Sequence, residues 1–476
     1  MMSFYSRLRS PWTALTLSCM LVTSGVTVET TAAADGRAAP PRNVSAESED
    51  SRRMTWRPVS PQQAVAKQTR RRNPSQQTVA PVSHETIVIE PPATDFVSAG
   101  GSTCGGHCVG ASCDSIGGDG LCQKPRRRPL FSVHSEYLLW SLDAIDLPAL
   151  VTTSPAGTSP ENTGRLDQAG TSILFGGDGV GDEMRSGARV TLSWGVNDCG
   201  DGFELVGMGV FEDTETFRDS RALLARPVFD TGSGSESAML VAHPDFLSGS
   251  LSVRVDSELF AFDVMRRQRL CTSACDQLDL LIGYRHGGLD ESLRVDQSGT
   301  FTAAQGQIVA GTTQSLFDDF RAENRFNGAQ IGLHYRRRCR SASTFNVMAK
   351  LGMGVNEADA RIAGETINTV PGGGSSSFTG GLLAQSTNIG SYDESEFSVI
   401  PELGVMFTTR LDNYIDLSVG YNVLIWSNAL RVGDLIDRNV SQFPPEVASG
   451  TLNPSFEFET DTFIAHGLTF GAVVSF

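Results

Sequence analysis

Among the residues of this chain that could carry chemistry, the nine cysteines stand out. Cys19 lies in the apolar N-terminal run, which leaves eight. Cys104, Cys108, Cys113 and Cys122 form one cluster, and Cys199, Cys271, Cys275 and Cys339 are spread further along. Two chemistries fit such a set. An even number in an exported chain suits disulfides, and His107 beside the first cluster offers the start of a zinc site. Irregular spacing and an oxidising compartment favour disulfides, whose pairing the sequence leaves open.

Other constellations are weaker. Gly176 to Glu183 is similar to one copy of a glycine- and aspartate-rich calcium repeat, and a single copy reads as a flexible acidic loop. His134-Ser135-Glu136 lies on a strand-like segment, where neighbouring side chains face opposite ways. No Gly-x-Ser-x-Gly elbow, His-Glu-x-x-His pair or phosphate-binding loop occurs in the sequence, so neither an enzyme nor a cofactor is expected. More informative are polar residues inside apolar alternation. Arg189, Asp279, Arg285, Gln330, Lys350, Glu402, Asp416 and Asn422 oppose the apolar face of their segments. That is the placement of side chains lining the lumen of a barrel.

These residues require strands that cross lipid. Beyond residue 130 the apolar period becomes two. In Ala188–Trp194 the even positions are apolar. Phe345 to Val355 and Ile415 to Ile425 alternate at odd positions for about ten residues, the length of a tilted membrane strand. Soluble sandwich strands are nearer five or six. The expected fold is all-β, a transmembrane antiparallel up-and-down barrel of about ten strands, within a range of about 8 to 12. Strands are expected near 132–144, 187–196, 203–212, 252–266, 276–287, 325–337, 344–356, 396–410, 414–428 and 461–476. Short turns at 197–202, 338–343 and 411–413 alternate with long outer loops such as 145–186, 213–251 and 357–395. Both termini then fall at the periplasmic side, where the later cysteines also fall. In 252–266 the polar parity of Arg254, Asp256 and Glu258 becomes apolar at Phe260, Phe262 and Val264, which predicts a bulge.

Residues 1–34 read as a signal peptide. Arg7 and Arg9 precede an apolar run, and Thr31-Ala32-Ala33-Ala34 predicts cleavage after Ala34. Residues 35–128, rich in Pro, Ser, Gln and Arg, read as a disordered, basic, Cys-containing periplasmic linker, with residues 129–476 as the barrel. Thr86–Glu90 could form a strand within that linker. The formal charge is -16 overall; the leader carries +1 and the linker +4, leaving -21 for the barrel. An acidic body argues against nucleic acid as a partner. Mean hydropathy of -0.12 is no guide here, because lipid-facing and lumen-facing residues cancel.

Ser135-Glu136-Tyr137-Leu138-Leu139-Trp140, Leu147 to Pro155, Leu174-Phe175-Gly176-Gly177, Leu224 to Phe229 and Leu278 to Arg285 occur in order, followed by Leu289 to Leu293. Over about 131–476 the chain resembles the putative beta-barrel porins, seventh family of that name, a group characteristic of planctomycetes. The resemblance implies an outer-membrane barrel and leaves the transported solute open. Ile464 to Phe476 ends the chain on an aromatic residue of an alternating strand, which resembles the signal such barrels present to their assembly machinery. The expected function is porin-like passage of small solutes or ions, with outer-membrane lipid, the barrel assembly machinery, and small solutes or cations as partners. The alternative is a non-conducting structural or adhesion barrel acting through acidic outer loops. Lys350 and Glu402, inward on adjacent strands, are expected to pair near the constriction.

Overall fold

The computed structural model describes residues 130–476 apart from 198–199, 274, 341, 445 and 447–451. The signal peptide, its cleavage site after Ala34, the linker with Thr86–Glu90, and Cys104, Cys108, Cys113, Cys122 and Cys199 lie outside the described residues.

Ten strands close a ring: β1 Phe131–Leu142, β2 Met184–Gly195, β3 Gly202–Asp219, β4 Leu247–Thr272, β5 Asp276–Phe301, β6 Thr313–Arg340, β7 Ser343–Val370, β8 Gly390–Arg410, β9 Ile415–Ala429 and β10 Asp461–Ser475. Each pairs antiparallel with its chain neighbour, and β1 pairs β10 from Ser132↔Ser475 to Leu142↔Ala465. Closure leaves no sheet edge in lipid, where an unpaired backbone group would cost several kcal/mol (roughly, from transfer energies). All ten expected strands are present, and their starts and ends at the short turns fall within a few residues of expectation.

The wall is uneven. β1 and β2 have 12 residues each, whereas β6 and β7 have 28. At about 3.3 Å per residue, β6 and β7 are roughly 90 Å long, nearly three times the length of the ~10 residues that a tilted crossing requires. This corrects the expected loops at 213–251 and 357–395. Much of each is strand, and 224–242 is a hairpin of Leu224–Asp230 with Ser235–Ala242. The segment 145–186 also holds short strands, at Ile145–Asp146, Val151–Thr153, Ser172–Phe175 and Gly179–Val180.

The reason the extensions were missed is visible in β4. Odd residues face inward along its whole length, from Leu251, Val253 and Val255 to Ala261, Asp263 and Met265. Even residues face outward: Arg254, Asp256 and Glu258 first, then Phe260, Phe262 and Val264. No face changes at the point where a bulge was expected. What changes is the surrounding medium, from water to lipid. The pairing of β4 with β5 runs unbroken from Leu247 to Arg269. An irregularity does occur opposite Ser257 and Leu259, but the extra residue belongs to β3, between Val210 and Asp213.

At the long-loop end the inner face of the tall strands carries an apolar core. Leu251, Val253, Leu293, Val295 and Phe320 pack against Leu150, Val151, Leu224, Val228 and Val241 of the folded-in hairpins. At lipid level the exterior is apolar instead. Phe131, Phe203, Phe345, Phe407, Tyr414 and Phe476 ring the short-turn end, and Tyr137, Tyr284 and Phe397 stand higher. Phe476 donates its backbone N–H to Phe131 O at 2.9 Å, and the two rings lie 6.0 Å apart.

Candidate functional site: a charged layer across the lumen

Period-two strands place one side chain from every strand at a common level inside the ring. Lys350 on β7 lies directly opposite Glu402 on β8 in the register, with Nζ 3.9 Å from Oε2. Lys350 Nζ also donates to Asp263 Oδ2 at 3.1 Å. The Arg285 guanidinium grips Asp263 with Nε and Nη2, at 2.7 and 2.9 Å. Its Nη2 further donates to Glu402 Oε2 at 2.5 Å. From β2, Arg189 Nη2 reaches Glu402 Oε1 at 3.4 Å, and its Nη1 lies 3.9 Å from Glu136 Oε2 on β1.

Neutral groups complete the layer. Asn422 on β9 accepts from Arg189 at 3.5 Å and donates to Thr469 on β10 at 3.2 Å. Met208 on β3 offers its sulfur to Arg189 at 3.7 Å. Gln330 on β6, with its amide turned to suit, donates to Asp263 Oδ2 at 3.2 Å and accepts from Arg285 Nε at 2.8 Å. Three cations therefore meet three carboxylates, and all ten strands contribute. Asp263, Arg285 and Glu402 are each 1 % exposed. Charges so buried persist only when paired and hydrogen-bonded. Chemically the arrangement is a cross-linked neutral septum.

Apolar and polar tiers alternate above it. Leu138, Trp140, Phe326, Trp426 and Phe463 fill the next level, with the Phe326 and Trp426 rings edge-on at 6.0 Å. Higher still, Asn324 on β6 donates to Leu430 O and accepts from Leu430 N, both at 2.8 Å. Glu291 on β5 accepts from Arg431 Nε at 2.9 Å and from Val432 N at 3.0 Å. These bonds pin the β9–β10 connection into the mouth.

Of the six charged residues assigned to the lumen from sequence, four meet in the septum: Arg189, Arg285, Lys350 and Glu402. Asp279 and Asp416 do not. Both point inward, but nearer the short turns, where Arg269 Nε donates to Asp279 Oδ1 at 2.5 Å and Arg410 lies 3.5 Å from Asp416. Asp263 and Glu136 were missed. Asp263 follows the reversal of apolar phase on β4, which obscured its face. Glu136 was set aside as part of the His134-Ser135-Glu136 triplet, although it shares its inward parity with His134. His134 Nε2 lies 2.9 Å from the hydroxyl of Ser418 on β9, and its Nδ1 lies 3.8 Å from Glu136 Oε2 on the same face.

The described cysteines all stand at the short-turn end. Cys271 is in the last turn-ward residues of β4 and Cys275 is buried in the turn that follows. Cys339 near the end of β6 is an exposed free thiol, which departs from the expectation that all eight pair. Its side chain points away from the ring interior and its sulfur contacts only the nearby Arg337 carbonyl, at 3.8 Å, among the described residues. The glycine-rich segment at 176–183 is partly a strand, Gly179–Val180 pairing with Ile145–Asp146. Among the described residues no group of three His, Cys, Asp or Glu side chains is placed to hold a metal ion.

A family model described as putative beta barrel porin-7 matches residues 133–476. No curated protein matches the chain. Among solved structures, the outer membrane protease OmpT from Escherichia coli is similar at 9 % identity, covering 73 % of this chain and 96 % of its own, with a TM-score of 0.34. A Pseudomonas aeruginosa FadL homologue is similar at 9 % identity, covering 73 % and 90 %, with a TM-score of 0.20. Likenesses of that size carry no argument about activity.

Proposed function

The chain belongs to the putative beta barrel porin-7 family, and on that premise we propose that it is an outer-membrane barrel closed at rest, passing small solutes or ions only when its septum parts. The observation carrying this reading is that six charged side chains cross-link the lumen while almost none of their surface is exposed. An open water path would instead leave charges hydrated. In a ten-strand barrel, only slightly wider than one that side chains can fill, such a layer suffices to block passage.

Planar-bilayer recording of the refolded protein tests the reading. Wild type should show little steady conductance, and Lys350→Ala with Glu402→Ala should raise it. Lys350→Ala alone should make the opened path more cation-preferring, because it leaves a carboxylate excess. A large constant conductance in wild type would contradict closure. Equal silence in wild type and double variant would favour the other reading, a structural or adhesion barrel. That second reading has its own support in the tall extension of β4 to β7, with its packed apolar interior.

In this proposal the short-turn end faces the periplasm, as in other bacterial barrels. Phe476, exposed at that end, serves as the assembly signal. Its deletion should lower the amount of barrel in the outer membrane without changing the unfolding midpoint of the protein that does insert. Cys271 and Cys275 belong to the oxidised set that stiffens this rim.

A further inference from the structure

The tall wall ends in a summit without charge. From Phe246 to Val253, from Gln297 to Phe317 and from Thr366 to Tyr392 the sequence carries no charged residue, in a barrel that is strongly acidic overall. These segments meet in register. Ser250 on β4 pairs Ser298 on β5, which pairs Ser315 on β6, which pairs Ile367 on β7, which pairs Ser377 of the strand Gly374–Thr379. All five residues of that row are exposed. Charge resumes one row lower, at Asp296 and Glu365.

Gly374–Thr379 is the last strand of this sheet. It pairs antiparallel with β7 from Val370↔Gly374 to Glu365↔Thr379, and among the described residues no strand pairs with its other side. All 6 residues are exposed. A bare edge offers a row of backbone N–H and C=O groups, and sheets usually guard it with charge, proline, a bulge or a covering segment. This strand holds no charge and no proline, and its register with β7 is unbroken. The opposite edge of the extension is guarded. Beyond Val210, where its pairing with β2 ends, β3 carries Glu212, Asp213 and Glu215.

We propose that this edge pairs with the same edge of a second copy of the chain, standing in a facing outer membrane. A second copy brings its own negative body, and only a neutral surface meets it without like-charge repulsion. Two identical antiparallel strands are related by a two-fold axis normal to their sheet. That axis keeps both faces, so Ser375, Ser377 and Thr379 of the two copies share one face, and Ser376 and Phe378 the other. The wall runs along the barrel axis, so the two-fold lies in the membrane plane and its rotation inverts the second barrel. Neighbours within one membrane therefore do not form this pair. Six residues per copy make a small contact beside the ~1,600 Å² of a standard interface. The effect depends on many copies acting together between two surfaces. The proposal gives the adhesion reading above its partner, and it rests on the tall end facing outward, not on the state of the septum.

Light scattering from phosphatidylcholine vesicles carrying the full-length mature protein, in EDTA, tests the proposal, with flotation to check insertion. Wild-type vesicles should cluster and protein-free vesicles should not. Ser375→Lys with Ser377→Lys, and separately Ser375→Glu with Ser377→Glu, set like charges opposite each other in the self-pair and should each abolish clustering. Mixing the Lys vesicles with the Glu vesicles should restore it. Both positions are exposed, and heat-modifiable gel migration checks that the variants fold. Planar-bilayer recording reads the septum separately, so the two readings fail independently. Inserted wild-type barrels that leave the vesicles dispersed overturn the proposal. So does clustering that survives in either charged variant, or that mixing the two fails to restore.

Discussion

The lower and upper halves of this barrel solve the same problem with opposite materials. At lipid level the wall is apolar outside and ionic inside: Phe262 and Val264 face out from β4 while Asp263 faces in. In the extension the same strand is ionic outside and apolar inside, with Arg254 and Asp256 out and Val253 and Val255 in. The backbone is indifferent to the exchange, because period-two geometry keeps each parity on its face throughout. Solvent alone decides which chemistry occupies which face. A change in apolar phase along one strand therefore marks the height at which it leaves the membrane.

Three tests sharpen that contrast, the largest effect first. Arg285→Ala strands Asp263 and Glu402 in the septum, and removing one partner of a buried ionic set costs about 3–5 kcal/mol. Urea unfolding of the lipid-folded barrel should show the loss, and a change below about 1 kcal/mol would mean that water already reaches the layer. Lys350→Ala with Glu402→Ala, which keeps the charges balanced, should cost less than the sum of the two single changes.

The second test uses one face of one strand. Phe262→Arg puts a cation toward lipid and should cost about 2–4 kcal/mol near mid-membrane. Arg254→Ala, eight positions earlier with the same parity, should change stability by no more than about 0.5 kcal/mol, its exposed pairing with Asp256 being worth little. Equal costs would place the lipid boundary elsewhere.

The smallest effect concerns acidity at the upper mouth. Asp434, in the short helical turn Val432–Leu435, has its carboxyl pushed up to about 6. Burial is the main cause, Asp461, Glu459 and Glu291 add to it, and Arg431 opposes it. A raised carboxyl favours the protonated folded form. Its contribution is complete below the ordinary value of 3.8 and is lost as pH rises through about 6. Hydrogen exchange in 430–443 should accordingly quicken between those two pH values. The group is partly exposed, so the effect should stay under about 1 kcal/mol. Asp434→Asn should remove the pH dependence, and an unchanged profile in that variant would assign it to other groups.

Much of the lower half was legible because lipid imposes a strict rule on one face. The apolar alternation of 344–356 and 414–428 located strands, turns and the inward parity of Lys350, and the facing register of Glu402 followed. The extension was illegible under that rule, since Asp290, Ser292, Arg294 and Asp296 face outward into water and read as loop. Height was the other hidden quantity. Asp279 shares its strand and its inward face with Arg285 but lies about 20 Å nearer the short turn, and which residues of the other strands stand level with each is set by the stagger between paired strands. The cap hairpins were invisible for a third reason. Arg226 in Leu224–Asp230 is almost wholly buried beside Asp318, at 2.7 Å, and such a residue reads as surface in a sequence.

The equal count of cations and carboxylates in the septum has an electrical consequence. A field across the membrane acts on a moving body in proportion to its net charge, at about 2.3 kcal/mol per elementary charge per 100 mV. Glu136, Asp263 and Glu402 offset Arg189, Arg285 and Lys350, so the layer displaced as one unit carries no gating charge. Voltage would neither drive it open nor hold it shut. On the channel reading proposed above, opening would then have to come through contact or tension on the strands that carry the layer.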